Sequence, residues 1–125
     1  MKDEHQQLRE HLDKMTVRDV FDAVKKHLLT QNRRASFFSD NIERCRYRVE
    51  TEEGEVLKCA IGCLIPDDLY DKDFETNSIY DLRNEGIIPQ HLIRILAELQ
   101  IIHDVRSPAD WRKSLTELSQ NYNTY

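Results

Sequence analysis

Leu8, Leu12 and Met15 recur at i, i+4 and i+7 in an otherwise polar N-terminal stretch. That spacing predicts an amphipathic helix over residues 1–15, with first turns that fray because almost nothing apolar flanks the stripe. Thr16-Val17-Arg18-Asp19 then has the form of a capping box. Behind it Val17, Val20, Phe21, Val24 and Leu28 repeat at helical spacing, so a second helix is expected from Val17 to Thr30. Gln31 to Asp40 reads as a polar connection holding Arg33, Arg34 and the pair Phe37-Phe38.

The period then changes. Cys45, Tyr47 and Val49 alternate with Arg44, Arg46 and Arg48, the pattern of a half-buried strand. Thr51-Glu52-Glu53-Gly54 supplies a turn. Leu57, Cys59, Ile61 and Cys63 share one face of the return strand, and Pro66 ends it. Gly62 stands where a missing Cβ would let another backbone or a ligand approach. A two-stranded hairpin is marginal by itself, so its apolar side must lie on helices.

Downstream, Pro66 to Tyr70 has the form of a short helical turn and Asp71 to Asn77 that of a loop. Ser78 to Arg83 makes another short helix, closed by Gly86. Pro89 opens the strongest helix, with Leu92, Ile95, Leu96, Leu99 and Ile102 widened by Ile93 and Ile101, and His103-Asp104 at its end. Ser107-Pro108-Ala109-Asp110 reads as a box starting the last helix, whose packing face is Trp111, Leu115, Leu118 and Tyr122. The expected fold is α+β: a small antiparallel hairpin or sheet packed on a helical bundle, one domain over 1–125.

Length and composition agree with that picture. A chain of 125 residues, 39% hydrophobic and 33% charged, is the size of one domain and can bury a core without staples. No apolar run is long enough to span a bilayer, so no membrane role is expected. The N-terminus is polar and acidic rather than a secretory signal, and three cysteines cannot close a disulfide framework. A cytoplasmic location follows as the expectation. A net charge of −5 does not favour nucleic-acid binding.

The run Cys45-Arg46-Tyr47-Arg48, then Gly54, then Cys59-Ala60-Ile61-Gly62-Cys63-Leu64-Ile65-Pro66-Asp67-Asp68-Leu69-Tyr70 resembles an uncharacterised family of small bacterial and bacteriophage-encoded proteins. Leu99 to Asp104 and Trp111 with Leu115 are similar to that family's C-terminal segment. The resemblance implies no catalytic residues. It implies a setting, an accessory protein of a phage or mobile element.

Three constellations carry candidate chemistry. Cys45, Cys59 and Cys63, with His103 or His27 as a fourth ligand, would make a tetrahedral zinc site, although buried cysteines ordinarily pack as small hydrophobes. Arg44, Arg46, Arg48 and Lys58 on one strand face would grip a small anionic metabolite or nucleotide. Against that stands a solvated face neutralised by Glu43, Glu50, Glu52, Glu53 and Glu55. His103-Asp104 with Asp67 and Asp68 would form an acid–base group, but nothing sets a nucleophile opposite them and no Gly-rich phosphate loop is present. No catalytic residue is therefore assigned.

The leading expectation is a non-enzymatic accessory protein that binds a host protein through exposed aromatics, Phe37, Phe38 and Tyr70, with Tyr125 beside them. A binder of an anionic ligand and a zinc-stabilised module follow, and apolar faces spent on a homodimer are a further possibility of assembly.

Overall fold

The computed structural model describes residues 3–122. Tyr125 and the side chain of Tyr122 lie outside the described residues. Among the described residues the architecture is α+β: five α-helices and two separate two-stranded antiparallel sheets. The helices are α1 (Glu4–Asp13), α2 (Val17–Gln31), α3 (Ile79–Asn84), α4 (Ile93–Val105) and α5 (Trp111–Tyr122).

Helix starts follow their caps. Asp3 accepts the Gln6 N–H at 2.7 Å and begins α1, which buries Leu8 and Leu12. The Thr16–Asp19 box is formed in both directions, as its spacing predicts. Asn32, at φ 51°, stops α2 in the left-handed region. Ser78 and Asp81 make a second complete box at α3. Ser107 departs from expectation. Its hydroxyl reaches the Asp110 carboxylate at 3.0 Å instead of a backbone amide, and a 3₁₀ turn, Pro108–Asp110, leads into α5. A 3₁₀ turn, Gln90–Leu92, likewise separates Pro89 from α4.

Buried side chains from all five helices form one cluster, with Trp111, Leu92, Leu96, Leu99 and Leu115 among its most enclosed members. α4 packs against α2, α3 and α5 and so holds the central position that its apolar sequence predicts. Ile101 is the exception: it is 57% exposed and widens no core stripe.

The β-structure differs from the single hairpin read from the alternation. The stretch expected as a polar loop supplies strand β1 (Ser36–Ser39), which pairs with β2 (Ile42–Cys45). Asp40 and Asn41, at φ 54° and 66°, form the two-residue turn between them, the conformation such tight hairpins require. The expected strand through Cys45, Tyr47 and Val49 is interrupted at Arg46-Tyr47. Strand β3 (Arg48–Glu50) begins a second hairpin with β4 (Val56–Lys58), Arg48 facing Lys58. The interruption has a cause. Tyr47 turns into the core, where its hydroxyl donates to the Asn77 carbonyl at 2.6 Å, and its N–H is taken by Glu75 at 2.9 Å.

The return strand is also shorter than expected. After Lys58 the chain winds instead of running extended: the Cys63 N–H bonds the Cys59 carbonyl at 3.0 Å, and Gly62–Leu64 is a 3₁₀ turn. Cys59, Ala60, Ile61 and Gly62 are all buried, which an alternating strand face would not allow. Gly62 does what its position implies. A Cβ there would overlap the Tyr47 carbonyl oxygen, so only glycine lets the two backbones meet.

Candidate functional site

The two hairpins are fixed to the helices by different devices. On β4, the Gln31 carboxamide acts like a neighbouring strand. It accepts the Lys58 N–H at 2.9 Å and donates to the Lys58 carbonyl at 2.9 Å. His27 donates to the same carbonyl at 2.8 Å, and burial of its ring holds its pKa below the ordinary value. At the start of β3, Glu75 accepts the N–H groups of Tyr47 and Arg48 and the Tyr70 hydroxyl, the last at 2.6 Å.

The β1–β2 hairpin is held at its base by the end of α4. His103 is fully buried, stacked on Trp111 with ring centroids 5.6 Å apart. Its Nε2 accepts the Ala35 N–H at 2.9 Å. Because Nε2 is an acceptor, the proton of the neutral ring sits on Nδ1 and is donated to Asp104 Oδ1 at 2.6 Å. Asp104 also accepts from Gln100 at 2.8 Å and from the Cys45 thiol. The Arg46 N–H closes the hairpin on the Ala35 carbonyl at 2.9 Å. Arg34 completes the joint. Its guanidinium caps the α4 end by donating to the carbonyls of His103 and Arg106 at 3.1 and 2.7 Å, and pairs with Glu43 at 3.0 Å.

Beside this joint lies a cleft of about 330 Å³. Ile79, Tyr80, Ala97 and Ile101 give it apolar walls, while Cys45, Arg46 and Asp104 stand at its polar end. A groove of about 540 Å³ separates the two hairpins and is lined in part by Phe37, Phe38 and Val49. A third hollow, about 480 Å³ among α2, α4 and α5, gathers none of the candidate ligand, metal or partner residues read from the sequence.

The predicted cations are distributed over two hairpins. Arg48 and Lys58 are cross-strand neighbours, and both pair with Asp67, at 3.0 and 2.8 Å. Those two cations hold the Asp67 carboxyl below its ordinary pKa, Lys58 contributing most. Arg46 lies over the Phe37 ring at 4.1 Å, and Arg44 faces Phe37 across the β1–β2 ladder. Neither Arg44 nor Arg46 has a carboxylate partner among the described residues.

Of the predicted zinc ligands, Cys45 and His103 come together, and Asp104 joins them in place of Cys59 and Cys63. Their ligand atoms all lie within 4.8 Å of one another, a donor set compatible with zinc. Loading it would remove a proton from Cys45, whose thiol burial pushes up to about 12, and would move the ring proton to Nε2, against the Ala35 N–H. A metal-bound histidine normally donates its second N–H to an acceptor, and here it would meet a donor. The other two thiols are occupied locally. Cys59 Sγ accepts the Gly62 N–H at 3.2 Å, and Cys63 donates to the Ala60 carbonyl at 3.1 Å. Burial raises both, Cys63 to about 12.

The acid–base grouping weighed from sequence is divided. Asp67 belongs to the Arg48–Lys58 pair and Asp68 is exposed, whereas His103 and Asp104 serve the hairpin joint with both ring nitrogens engaged.

The aromatic candidates also separate. Phe38 is 72% exposed near the hairpin tip and Ile42, on the other face of the ribbon, is 54% exposed, while Phe37 is half-buried beneath Arg46. Tyr70 is committed inward through Glu75 and an edge contact with Phe74 at 6.3 Å between ring centroids. Sequence reasoning missed Gln31, Arg34 and Glu75 as the groups that hold the hairpins. All are polar residues at helix ends or loops, and only the folded distances reveal their long-range partners.

No protein-family model, curated protein or solved structure matches the chain. Among the described residues no helix is long and apolar enough to cross a membrane.

Proposed function

We propose that this chain is a non-enzymatic protein-binding module that presents the β1–β2 hairpin to a partner. The carrying observation is the contrast within that hairpin. Its base is fixed by the buried bond from Ala35 to His103 and by the bonds that Arg34 and Cys45 make to the end of α4, yet its tip exposes Phe38 and Ile42 to solvent. A two-stranded ribbon gains nothing by itself from exposing two large apolar side chains. A fixed arm that carries them loses little conformational entropy on docking. The groove beside Phe37 and Phe38 adds concave surface where a partner can seat. That the partner is a host protein, and the chain an accessory of a phage or mobile element, rests on the resemblance over about residues 42–122 alone.

The test places a photocrosslinking phenylalanine analogue at position 38 and, as a control, at Lys113, which is exposed on α5. Both are expressed in bacterial cells, and the crosslinked protein is identified and purified. The reading expects one dominant adduct from position 38 and none from 113. It further expects Phe38→Ala with Ile42→Ser to weaken binding of the purified partner at least about 30-fold, as hot-spot truncation does. Equal labelling from both positions, or affinity unchanged in the double variant, overturns it.

A further inference from the structure

We infer that the groove between the two hairpins takes one extended, basic segment of the partner, which pairs as a third strand with the open edge of β1. This rests on the protein-binding reading and names what the partner presents to that same surface.

The register of the first hairpin decides which backbone groups are left over. Its two-residue turn makes Ser39 and Ile42 a hydrogen-bonded pair, and alternation makes Phe37 and Arg44 the next one. The Arg46 N–H on the Ala35 carbonyl continues that series. The backbone N–H and C=O groups of Ser36 and Phe38 therefore point away from β2, and they take no other hydrogen bond among the described residues. Both residues line the groove, with Phe37 between them. Strand edges are ordinarily blunted by charge, proline or a bulge. β1 reads Ser-Phe-Phe-Ser in regular register, with no charged residue and no proline, whereas β2 carries Glu43 and Arg44. Four residues at about 3.3 Å each give an edge roughly 13 Å long, which fits one short extended segment.

The charges around the groove select the segment. Two arginines and three glutamates line it. Arg33 is paired with Glu55 at 2.8 Å and Arg34 with Glu43 at 3.0 Å. Glu50 and Glu52 are exposed and have no cationic partner among the described residues. The uncommitted charge of the lining is thus entirely negative. Arg44 and Arg46, the cations of the ribbon that lack a carboxylate, do not line the groove, and Arg46 stays over the Phe37 ring. Apolar surface comes from Phe37, Phe38 and Val49. An extended segment that sets apolar side chains on these and Lys or Arg on Glu50 and Glu52 complements edge, surface and charge together. The β1 strand of a second copy would bring no cation to the two glutamates.

The experiment pans a displayed library of random 12-residue peptides on the full chain, then measures a synthetic consensus peptide by fluorescence anisotropy. Lys or Arg alternating with Val, Ile or Phe should be enriched, with affinity falling as salt rises. Glu50→Lys and Glu52→Lys should each weaken binding at least about tenfold, and Glu53→Lys, outside the groove, by less than either. N-methylation of the peptide separates strand pairing from charge alone. Methyl groups on one alternate set of amides should abolish binding, and on the other set should leave it. Ser36→Pro removes an N–H that the hairpin does not use, so it should weaken binding with little change in melting temperature. The methylated peptides leave the chain unaltered, so that comparison decides even if Ser36→Pro lowers stability. No enrichment, a consensus without basic bias, affinity indifferent to Glu50→Lys and Glu52→Lys, or equal tolerance of both methylated sets overturns the proposal. So does a dimer in sedimentation that Ser36→Pro dissolves, which gives the edge to a second copy. The position-38 crosslink is read separately. A dominant adduct that persists while the peptide results fail discards the basic strand alone, and a missing adduct discards the wider reading.

Discussion

The backbone N–H of Ala35 lies 2.9 Å from Nε2 of His103, 68 positions along the chain, and this bond decides which ring nitrogen carries the proton. It also ties the hairpin base to the central helix. His103→Leu keeps most of the buried volume but leaves the Ala35 N–H without an acceptor and Asp104 without its closest donor. An unsatisfied buried donor costs about 1–3 kcal/mol, so with imperfect packing the variant should lose about 2–4 kcal/mol in urea unfolding. Hydrogen exchange at Ala35 should accelerate more than at Leu28 in the core. Asp104→Asn, whose amide oxygen still accepts from Nδ1, should lose less. Equal losses in both variants would show that the Ala35 bond adds nothing.

Gly62 and Gly54 test two different demands for glycine. At Gly62 an added Cβ would run into the Tyr47 carbonyl oxygen, where both backbones are held by neighbours. Gly62→Ala should therefore destabilise by about 3 kcal/mol or more, the upper end for overpacking. Gly54 has φ 84° and open space around it, so Gly54→Ala meets only the left-handed strain, about 1 kcal/mol. Chemical denaturation of the two variants should rank them in that order, and a reversed order would contradict the backbone contact.

The helices were legible in the sequence because each rests on local information. The Thr16 and Ser78 boxes, the Val17–Leu28 stripe and the face of α5 need only spacings of three and four. The sheets were less so. Alternation through Cys45, Tyr47 and Val49 is real, yet Tyr47 leaves the ladder to reach Asn77, a contact 30 positions away that no local pattern encodes. The Asp40-Asn41 turn was a signal that could have placed β1, but the neighbouring Phe37-Phe38 pair obscured the alternation. Of the candidate site, Cys45 with His103 was visible as chemistry. That Asp104 replaces the other two cysteines follows from the course of the chain after Lys58, where a helical turn carries Cys59 and Cys63 into local bonds.

Stability should fall toward acid in two stages. Burial lowers the pKa of His27 from the ordinary 6.5, so below that value the unfolded chain takes up a proton that the folded chain refuses. This contribution is complete above about 6.5 and is lost as pH falls through the window down to the lowered folded value. Asp67 acts lower. Lys58 and Arg48 depress its pKa from 3.8, so its contribution is present above that value and disappears as pH falls through the folded one. Melting temperatures between pH 3 and 8 should show both stages. His27→Gln, which retains a donor for the Lys58 carbonyl, should flatten the upper one, and Asp67→Asn the lower. An upper stage that persists in His27→Gln would assign it to another group.

The three thiols should behave as buried thiols rather than as thiolates or metal ligands. Burial pushes Cys45 and Cys63 to about 12, with Asp104 adding to the effect at Cys45, and burial raises Cys59 as well. Alkylation and disulfide exchange proceed through the thiolate. At pH 8 the native chain should react at least about 100-fold more slowly than the unfolded chain, with the slowest modification at Cys59. Zinc on Cys45, His103 and Asp104 would change both observables at once. It would hold Cys45 deprotonated, and it would link stability to the metal, so chelation would lower the melting temperature by several degrees. The hydrogen bonds already joining Cys45 and His103 to Asp104 predict the opposite result. The melting temperature should be the same with and without EDTA, while Asp104→Ala, which removes the common acceptor, should lower it. A drop on chelation that Cys45→Ser abolishes would place the metal there, and the proton on His103 would then have to move to Nε2 and break the bond to Ala35.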